Sequence, residues 1–347
     1  MDYTNKGLTG LVNLGNTCYI NSTLHILSNV YELNEYICDN ISEITKNGTL
    51  SKESKHECDT YQSMFVKEWN DLWLLMWKKN VVISPKRFVK IIQVVSKKEE
   101  NSMFIGHDQN DTTEFLYFIL QIFHSSLKKY THLYYSVLVR YASQYEPSFI
   151  KYFQQIHQDD FSIIDDLFAH YCKIEYVDQE TSQVYSCNYE KFYILDLTLT
   201  STELNECLDN HFKEEYMNEE NGNAYFDDKS GSYKNVIKKV TLYHKPKYLI
   251  IQLKRWNMNM RKNQRIINYD TKYLDLSKYK NENSKNNEPY ELFGIVNHSG
   301  NIFGGHYFSY VKNKNGKWYT FDDVQVQQMN ENKLLGNKNY CLVYRIK

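Results

Sequence analysis

With 347 residues and a mass of 41.5 kDa, the chain is long enough to bury a substantial apolar interior, as one domain or as subdomains around a shared core. Its 41 Lys and Arg offset 42 Asp and Glu, and a formal net charge of -1 gives no global attraction to nucleic acid or to an acidic membrane. Any charged partner has to be met by a local patch.

The opening MDYTNKGLTGLV lacks the apolar run of a secretory signal, and dense apolar stretches such as Leu72 to Trp77 are too short to cross a bilayer. A soluble intracellular monomer, cytoplasmic or nuclear, is therefore expected, with no nucleic-acid or membrane partner. The cysteines at 18, 38, 58, 172, 187, 207 and 341 are odd in number and irregular in spacing, which fits a reducing compartment better than a disulfide framework. No internal repeat of solenoid or propeller type is visible.

In chain order, GLVNLGNTCYINS (10–22) comes first, a small-polar loop that delivers Cys18 to a helix on which Ile20, Leu24, Leu27 and Tyr31 recur at helical spacing. Helix N-terminal N–H groups favour a thiolate and lower the thiol pKa from its free value of roughly 8.5. A buried structural cysteine fits the same position. Next, Asp111-x-x-Glu114 resembles a capping box opening a helix through Phe115, Leu116, Ile119, Ile122 and Phe123. From about Tyr185 strand signals take over, in VYSCNYEKFYILDLTL, KYLIIQLKRW, ELFGIVNH, HYFSYVK and KWYTFDD. Helices first and sheets later indicate an α+β fold. The polar stretches Asn218 to Tyr233 and Ser277 to Pro289 read as exposed loops.

GGHYFSYVKNKNGKWYTFDD (304–323) offers a base for the thiol. Gly304 and Gly305 permit a close approach before the strand that begins at His306, and Asn315-Gly316 marks a hairpin that returns Asp322 and Asp323 towards the histidine. A thiol, an imidazole and a carboxylate drawn from opposite ends of the chain follow the logic of a nucleophile, its base and the group that orients the base. A strict two-residue turn pairs Phe308 with Asp323, which puts Asp323 on the face of His306. A longer loop or a bulge shifts the register by one and selects Asp322.

Together these blocks resemble the ubiquitin-specific proteases, papain-like cysteine deubiquitinases built from a helical thumb, a β-rich palm and β fingers. GLVNLGNTCYINS is similar to the family's cysteine box, QNDTTEFL (109–116) to its second box, YLIIQLKRW (248–256) to its palm strand, and VNHSGNIFGGHYFSYVK with WYTFDD to its histidine box. The resemblance implies one catalytic domain over 1–347, with the thumb at about 7–130, the fingers at about 165–245 and the palm mainly at 246–347. It implies hydrolysis of the isopeptide or peptide bond after the terminal glycine of ubiquitin, through a thioester. Cys18 would be the nucleophile, His306 the base, Asp322 the orienting carboxylate (Asp323 the alternative) and Asn13 an oxyanion donor. Gln109 and Asp111 would grip the ubiquitin tail, His298 would line its channel, and Gly304, Gly305 and Tyr307 would narrow it. A ubiquitin-binding pseudo-enzyme and a protease for another ubiquitin-like modifier are the alternatives. The family's fingertip zinc needs paired CxxC motifs, which this chain lacks, so neither a metal nor any other cofactor is expected.

Overall fold

The computed structural model describes residues 3–47, 58–106, 108–128, 131–280, 288–301 and 304–347. A short strand β1 (Gly10–Leu11) precedes helices α1 (Cys18–Ser28), α2 (Tyr31–Asn47) and α3 (Cys58–Lys78). Strand β2 (Val82–Ile83) pairs in parallel with β1, and α4 (Lys86–Lys98), α5 (Thr112–Leu127), α6 (Thr131–Ala142), α7 (Pro147–His157) and α8 (Ile163–Phe168) follow. Then come β3 (His170–Asp178), β4 (Val184–Phe192), β5 (Ile194–Thr198), α9 (Leu204–His211), β6 (Glu215–Met217), β7 (Tyr225–Asp227), β8 (Ser232–Lys234) and β9 (Val236–His244). The chain ends with β10 (Tyr248–Lys254), β11 (Tyr290–Asn301), β12 (Gly304–Lys312), β13 (Trp318–Asp322), β14 (Gln325–Met329) and β15 (Asn339–Ile346).

This is the α+β order expected from the sequence. Seven strands form one sheet in the order β14-β13-β12-β11-β15-β10-β5, antiparallel except where β10 meets β5. Four more form a second antiparallel sheet, β4-β3-β9-β6. At its far end Asp178 accepts from the amides of Glu180 (3.0 Å) and Thr181 (2.7 Å) and from the Tyr185 hydroxyl (2.7 Å). Gln179 Nε2 reaches the carbonyls of Met217 (3.3 Å) and Val236 (3.1 Å), and Tyr176 stacks on Tyr225. Side-chain-to-backbone bonds thus hold this tip. The two polar stretches differ from the expectation. Residues 218–233 contain β7 and the start of β8, the second contains a short 3-10 turn at Ser277–Tyr279, and 281–287 lie outside the described residues.

The helical spacing of Ile20, Leu24 and Leu27 gives α1 one apolar face, although Tyr31, read on the same helix, opens α2. Yet every residue from Cys18 to Ser28 is buried, because α5 packs on one side and β11, β12 and β13 on the other. Its hydroxyls turn inward to the helix's own carbonyls, Ser22 and Thr23 both donating to the Tyr19 carbonyl at 3.0 and 2.9 Å. At its C-terminus, where carbonyls lack intrahelical partners, the Ser28 oxygen accepts from the indoles of Trp73 (3.1 Å) and Trp77 (3.2 Å). The indoles of α3 thus fix the C-terminal end of α1, which is enclosed between α5 and the sheet.

Four histidines lie in this interior. Burial lowers His25, His170 and His244 to about 3 and His157 to about 4, against an ordinary 6.5. The unfolded chain takes up these protons as pH falls below about 6.5 and the folded chain does not, so the unfolding free energy falls as pH falls across that window. The urea midpoint is expected to be lower at pH 5 than at pH 7. A midpoint unchanged between the two would show that these rings are not buried neutral.

Candidate active site

The loop before α1 is folded around one amide side chain. Asn13 Oδ1 accepts from the backbone N–H of Gly15 (3.0 Å) and Thr17 (3.1 Å), and Thr17 Oγ1 accepts from Leu14 N (2.8 Å). Gly15 and Asn16 take left-handed conformations, with φ of +97° and +54°, as a glycine and an asparagine tolerate best. This sharp turn sets Cys18 at the first position of α1, only 4% exposed, with the N–H groups of the first turn around it.

His306 comes from the other end of the chain, near the start of β12. The hairpin to β13 pairs Lys312 with Trp318 and Ser309 with Phe321, one residue out of step with a two-residue turn. Its tip is a three-residue loop in which Gly316 N donates to Asn313 O (2.9 Å), Gly316 has φ +77°, and Asn313 N donates to Lys317 O (2.9 Å). The shifted register brings Asp322 to the face of His306, and Asp322 Oδ1 lies 2.5 Å from His306 Nε2. That leaves Nδ1 for the thiol. The hydrogen bond that the ring donates to the Cys18 sulfur, opposed by burial and reinforced by Asp322, raises His306 from 6.5 to about 9. An imidazolium facing Cys18 is the protonation state that stabilises a thiolate.

Asp323 does not compete for His306. Strand alternation stops at Asp322, because Asp323 opens the two-residue connection to β14 with φ +50°. Its carboxylate swings to the N-terminal segment, where Oδ2 accepts from Asn13 Nδ2 (2.9 Å) and Oδ1 from Asn21 Nδ2 (2.8 Å). Its carbonyl accepts from Leu11 N (2.8 Å). Asn13 is thus held by both of its ends, with one amide hydrogen left over.

Of the residues expected to hold a substrate tail, Gln109 and Asp111 bond to the strand that carries His306. Gln109 joins that strand to the loop before α1, its Oε1 accepting from Gly305 N (2.9 Å) and its Nε2 lying 3.5 Å from Asn16 Oδ1. Asp111 caps α5 through the amides of Thr113 (2.7 Å) and Glu114 (3.1 Å) and also accepts from the hydroxyls of Tyr307 (3.3 Å) and Tyr340 (2.5 Å). With four donors its acceptor capacity is filled. Gly304 faces Gln109, and a Cβ on Gly305 would sit 2.1 Å from His298 Nε2, so no larger residue fits there. His298, expected to line the channel, is instead only 4% exposed and lies behind Gly305. Its Nδ1 meets Lys262 Nζ at 2.9 Å, and burial together with that cation lowers it to about 4.

Among the described residues, the group of three metal-type donors is His306, Asp322 and Asp323. Asp322 Oδ1 is engaged with the imidazole, and both oxygens of Asp323 accept from amides.

The ubiquitin carboxyl-terminal hydrolase model matches residues 9–344. The chain belongs to this family. Ubiquitin carboxyl-terminal hydrolase 2 of Bos taurus is 28% identical over 98% of this chain and 55% of its own length. A probable ubiquitin carboxyl-terminal hydrolase of Acanthamoeba polyphaga mimivirus is 26% identical over 97% of this chain and 90% of its own. The chain spans about half the length of the first of these relatives and most of the second. Among solved structures, a SAGA Ubp8/Sgf11/Sus1/Sgf73 DUB module bound to ubiquitin aldehyde has a chain that superposes with a TM-score of 0.72 at 23% identity, covering 100% of this chain and 71% of that one. The shared fold places this hydrolase-family chain in the papain-like α+β class. Among its described residues no helix is long and apolar enough to cross a membrane.

Several residues of this hydrolase-family site escaped the motif reading. Asn21 lies inside the cysteine box, but its bond to Asp323 spans 302 positions and no local pattern announces it. Tyr340 and Lys262 act from outside every motif, and only the assembled sheet brings them to Asp111 and His298. At pH 6.5, alkylation of Cys18 by iodoacetamide is expected to slow at least about tenfold in His306→Ala, since the thiolate loses its counter-charge. Unchanged alkylation would separate His306 from the thiol.

Proposed function

We propose that this chain is a deubiquitinating cysteine protease that hydrolyses the bond after the terminal glycine of ubiquitin. The observation that carries the reading is the His306 ring held between Cys18 and Asp322, with the imidazole raised to about 9. Cys18 thiolate attacks the glycine carbonyl carbon. The oxyanion that forms accepts from the free Asn13 Nδ2 hydrogen and from backbone N–H at the start of α1, a contribution of about 3 kcal/mol for one such preorganised donor. Collapse of this intermediate breaks the C–N bond, and His306 gives its proton to the departing amine. The thioester is then attacked by water with neutral His306 taking a proton, and carboxylate and thiolate are released.

In this scheme Asp322 orients the imidazole and Asp323 positions Asn13. The ubiquitin tail takes its place beside Gln109 and Gly304–Gly305 by displacing the 2.9 Å bond from Gly305 N to Gln109 Oε1, and the absence of side chains on the two glycines admits only a narrow backbone. Tyr307, fixed by Asp111, forms a wall, and His298 supports Gly305 from behind. Because Asp111 is already filled, carboxylates for the tail's arginines come instead from Glu114 and Asp196. Both line a 510 Å³ recess between α5 and the β4–β5 edge, with Tyr117, Phe118, Phe192 and Tyr193. Burial and the neighbouring Asp111 raise the Glu114 carboxyl, which a basic partner would reverse. We assign the helical region at about 7–130 as thumb, about 165–245 as fingers and mainly 246–347 as palm.

The test is hydrolysis of ubiquitin carrying a C-terminal fluorogenic amide, beside reporters made from other ubiquitin-like modifiers. Cys18→Ala is expected to abolish turnover, and kcat/KM of the wild type to fall on an alkaline limb near pH 9 as His306 loses its proton. Asp322→Ala should lower kcat and move that limb to lower pH, because the carboxylate that raises His306 is gone. Asp323→Ala should lower kcat with the limb unmoved. A limb that shifts in Asp323→Ala and stays in Asp322→Ala reverses the two assignments, and hydrolysis confined to another modifier's reporter replaces the substrate.

A further inference from the structure

Next to the loop that carries Asn13, the first strands of the chain meet the last hairpin. Strand β1 lies between β2 and the β13–β14 turn: Gly10 N donates to Val81 O (3.1 Å) and Val12 N to Ile83 O (2.9 Å), while Leu11 N donates to Asp323 O (2.8 Å). Gly10 is in register with Val82, and a Cβ on Gly10 would lie 2.4 Å from the Val324 carbonyl oxygen, so Val82 and Val324 flank this glycine. Register partners in a parallel pair point to the same face, which turns Val82 towards Val324 and away from the core that takes Leu11. Val82 and Val324 are 52% and 45% exposed. Val12, half-buried, carries the same face up to Asn13.

Local structure does not call for an apolar surface here. Asp323 and Val324 form the two-residue connection from β13 to β14, with Asp323 at φ +50°, in a kind of turn where Gly, Asn, Asp and Ser dominate. A β-branched residue suits β2, yet threonine would serve there with its hydroxyl in water. Single exposed valines need no partner, but these converge around a glycine that adds no side chain of its own.

The order of the sheet decides which side of the scissile bond reaches this face. In β14-β13-β12-β11-β15-β10-β5, Asp196 lies on β5, the edge assigned to the tail's arginines, and His306 lies on β12, four strand spacings or about 19 Å away. A tail that crosses from β5 and delivers its terminal carbonyl to Cys18 beside β12 has β13, β14 and β1 ahead of it. The amine departs from that carbonyl in the same direction. Val12 and Val324 are the chain neighbours of Asn13 and Asp323, the pair that sets the oxyanion donor. We propose that the face formed by Val12, Val82 and Val324 receives apolar side chains of the protein to which ubiquitin is attached, beside the departing amine, an inference that rests on the deubiquitinating reading above. A second copy of the chain is a poorer occupant, since three valines fall far short of the about 800 Å² per partner that a stable dimer buries.

The experiment compares kcat/KM for ubiquitin fusions extended after the terminal glycine by a peptide with Leu and Val among its first residues or by one of Ser and Gly alone. Wild type is expected to favour the apolar fusion by about tenfold. In Val82→Ser with Val324→Ser, where serine suits the turn, the preference should fall below about twofold while hydrolysis of the Ser/Gly fusion is retained. Val82→Ser alone, on a strand that bears no reacting group, should lower it to about threefold, and this variant decides the matter if the double variant loses the Ser/Gly fusion as well. No preference in a wild type that cleaves the Ser/Gly fusion, or a preference that Val82→Ser leaves unchanged, overturns this inference alone. A wild type inert towards every ubiquitin substrate overturns it together with the proposed function. Sedimentation of the wild type as a dimer that Val82→Ser dissociates would give the face to a second copy and overturn it too.

Discussion

Asp323 joins the two halves of the active site. Its carboxylate takes one amide from the loop before α1 and one from the first turn of α1, while the preceding residue, Asp322, faces His306. Adjacent residues of one strand end thereby set both the thiol's surroundings and the imidazole's orientation. If β13 slid by one residue, both bonds would be lost together. The Gly316 loop that fixes the register, the indoles that anchor the far end of α1, and β1 beside the β13–β14 turn all serve that junction. Even Gly10 belongs to it, since a Cβ there would lie 2.4 Å from the Val324 carbonyl oxygen.

Much of this was legible in the residues. The helix at Cys18, the helix capped by Asp111 and the strands β10 to β13 follow from periodicity, caps and turn signals, and the approach of His306 to Cys18 from the resemblance to the family's cysteine and histidine boxes. The choice between Asp322 and Asp323 did not, because Asn315-Gly316 fits either a two-residue or a three-residue loop and the side chains of Asn313 and Asn315 decide it. Asn313 Oδ1 accepts from Asn315 N (3.2 Å) and Asn315 Oδ1 from Lys317 N (3.0 Å), which stabilises the longer form. Alternation also assumes that a strand continues, and Asp323 is where this one ends.

His298 shows a different limit. Its place in the histidine block pointed to the channel, yet the close approach of Gly305 and the cation of Lys262 put it in the interior as a neutral support. Helix α1 was legible as a helix and not as an enclosed one, because its polar residues Asn21, Ser22, Thr23 and His25 mimic a solvent face. Three of them bond to backbone or to Asp323, and His25 packs its ring 4.3 Å from Phe321. Burial of polar side chains with such partners is a tertiary property that no window of sequence contains.

The central claim is that Cys18 attacks the ubiquitin terminus, and the most direct measurement is peptide mapping after incubation with ubiquitin bearing an electrophilic C-terminal group. The account predicts one ubiquitin per chain, attached to Cys18, with the adduct lost in Cys18→Ala. An adduct on Cys38, Cys58 or Cys187, or a chain left unlabelled under conditions that preserve its fold, would contradict it.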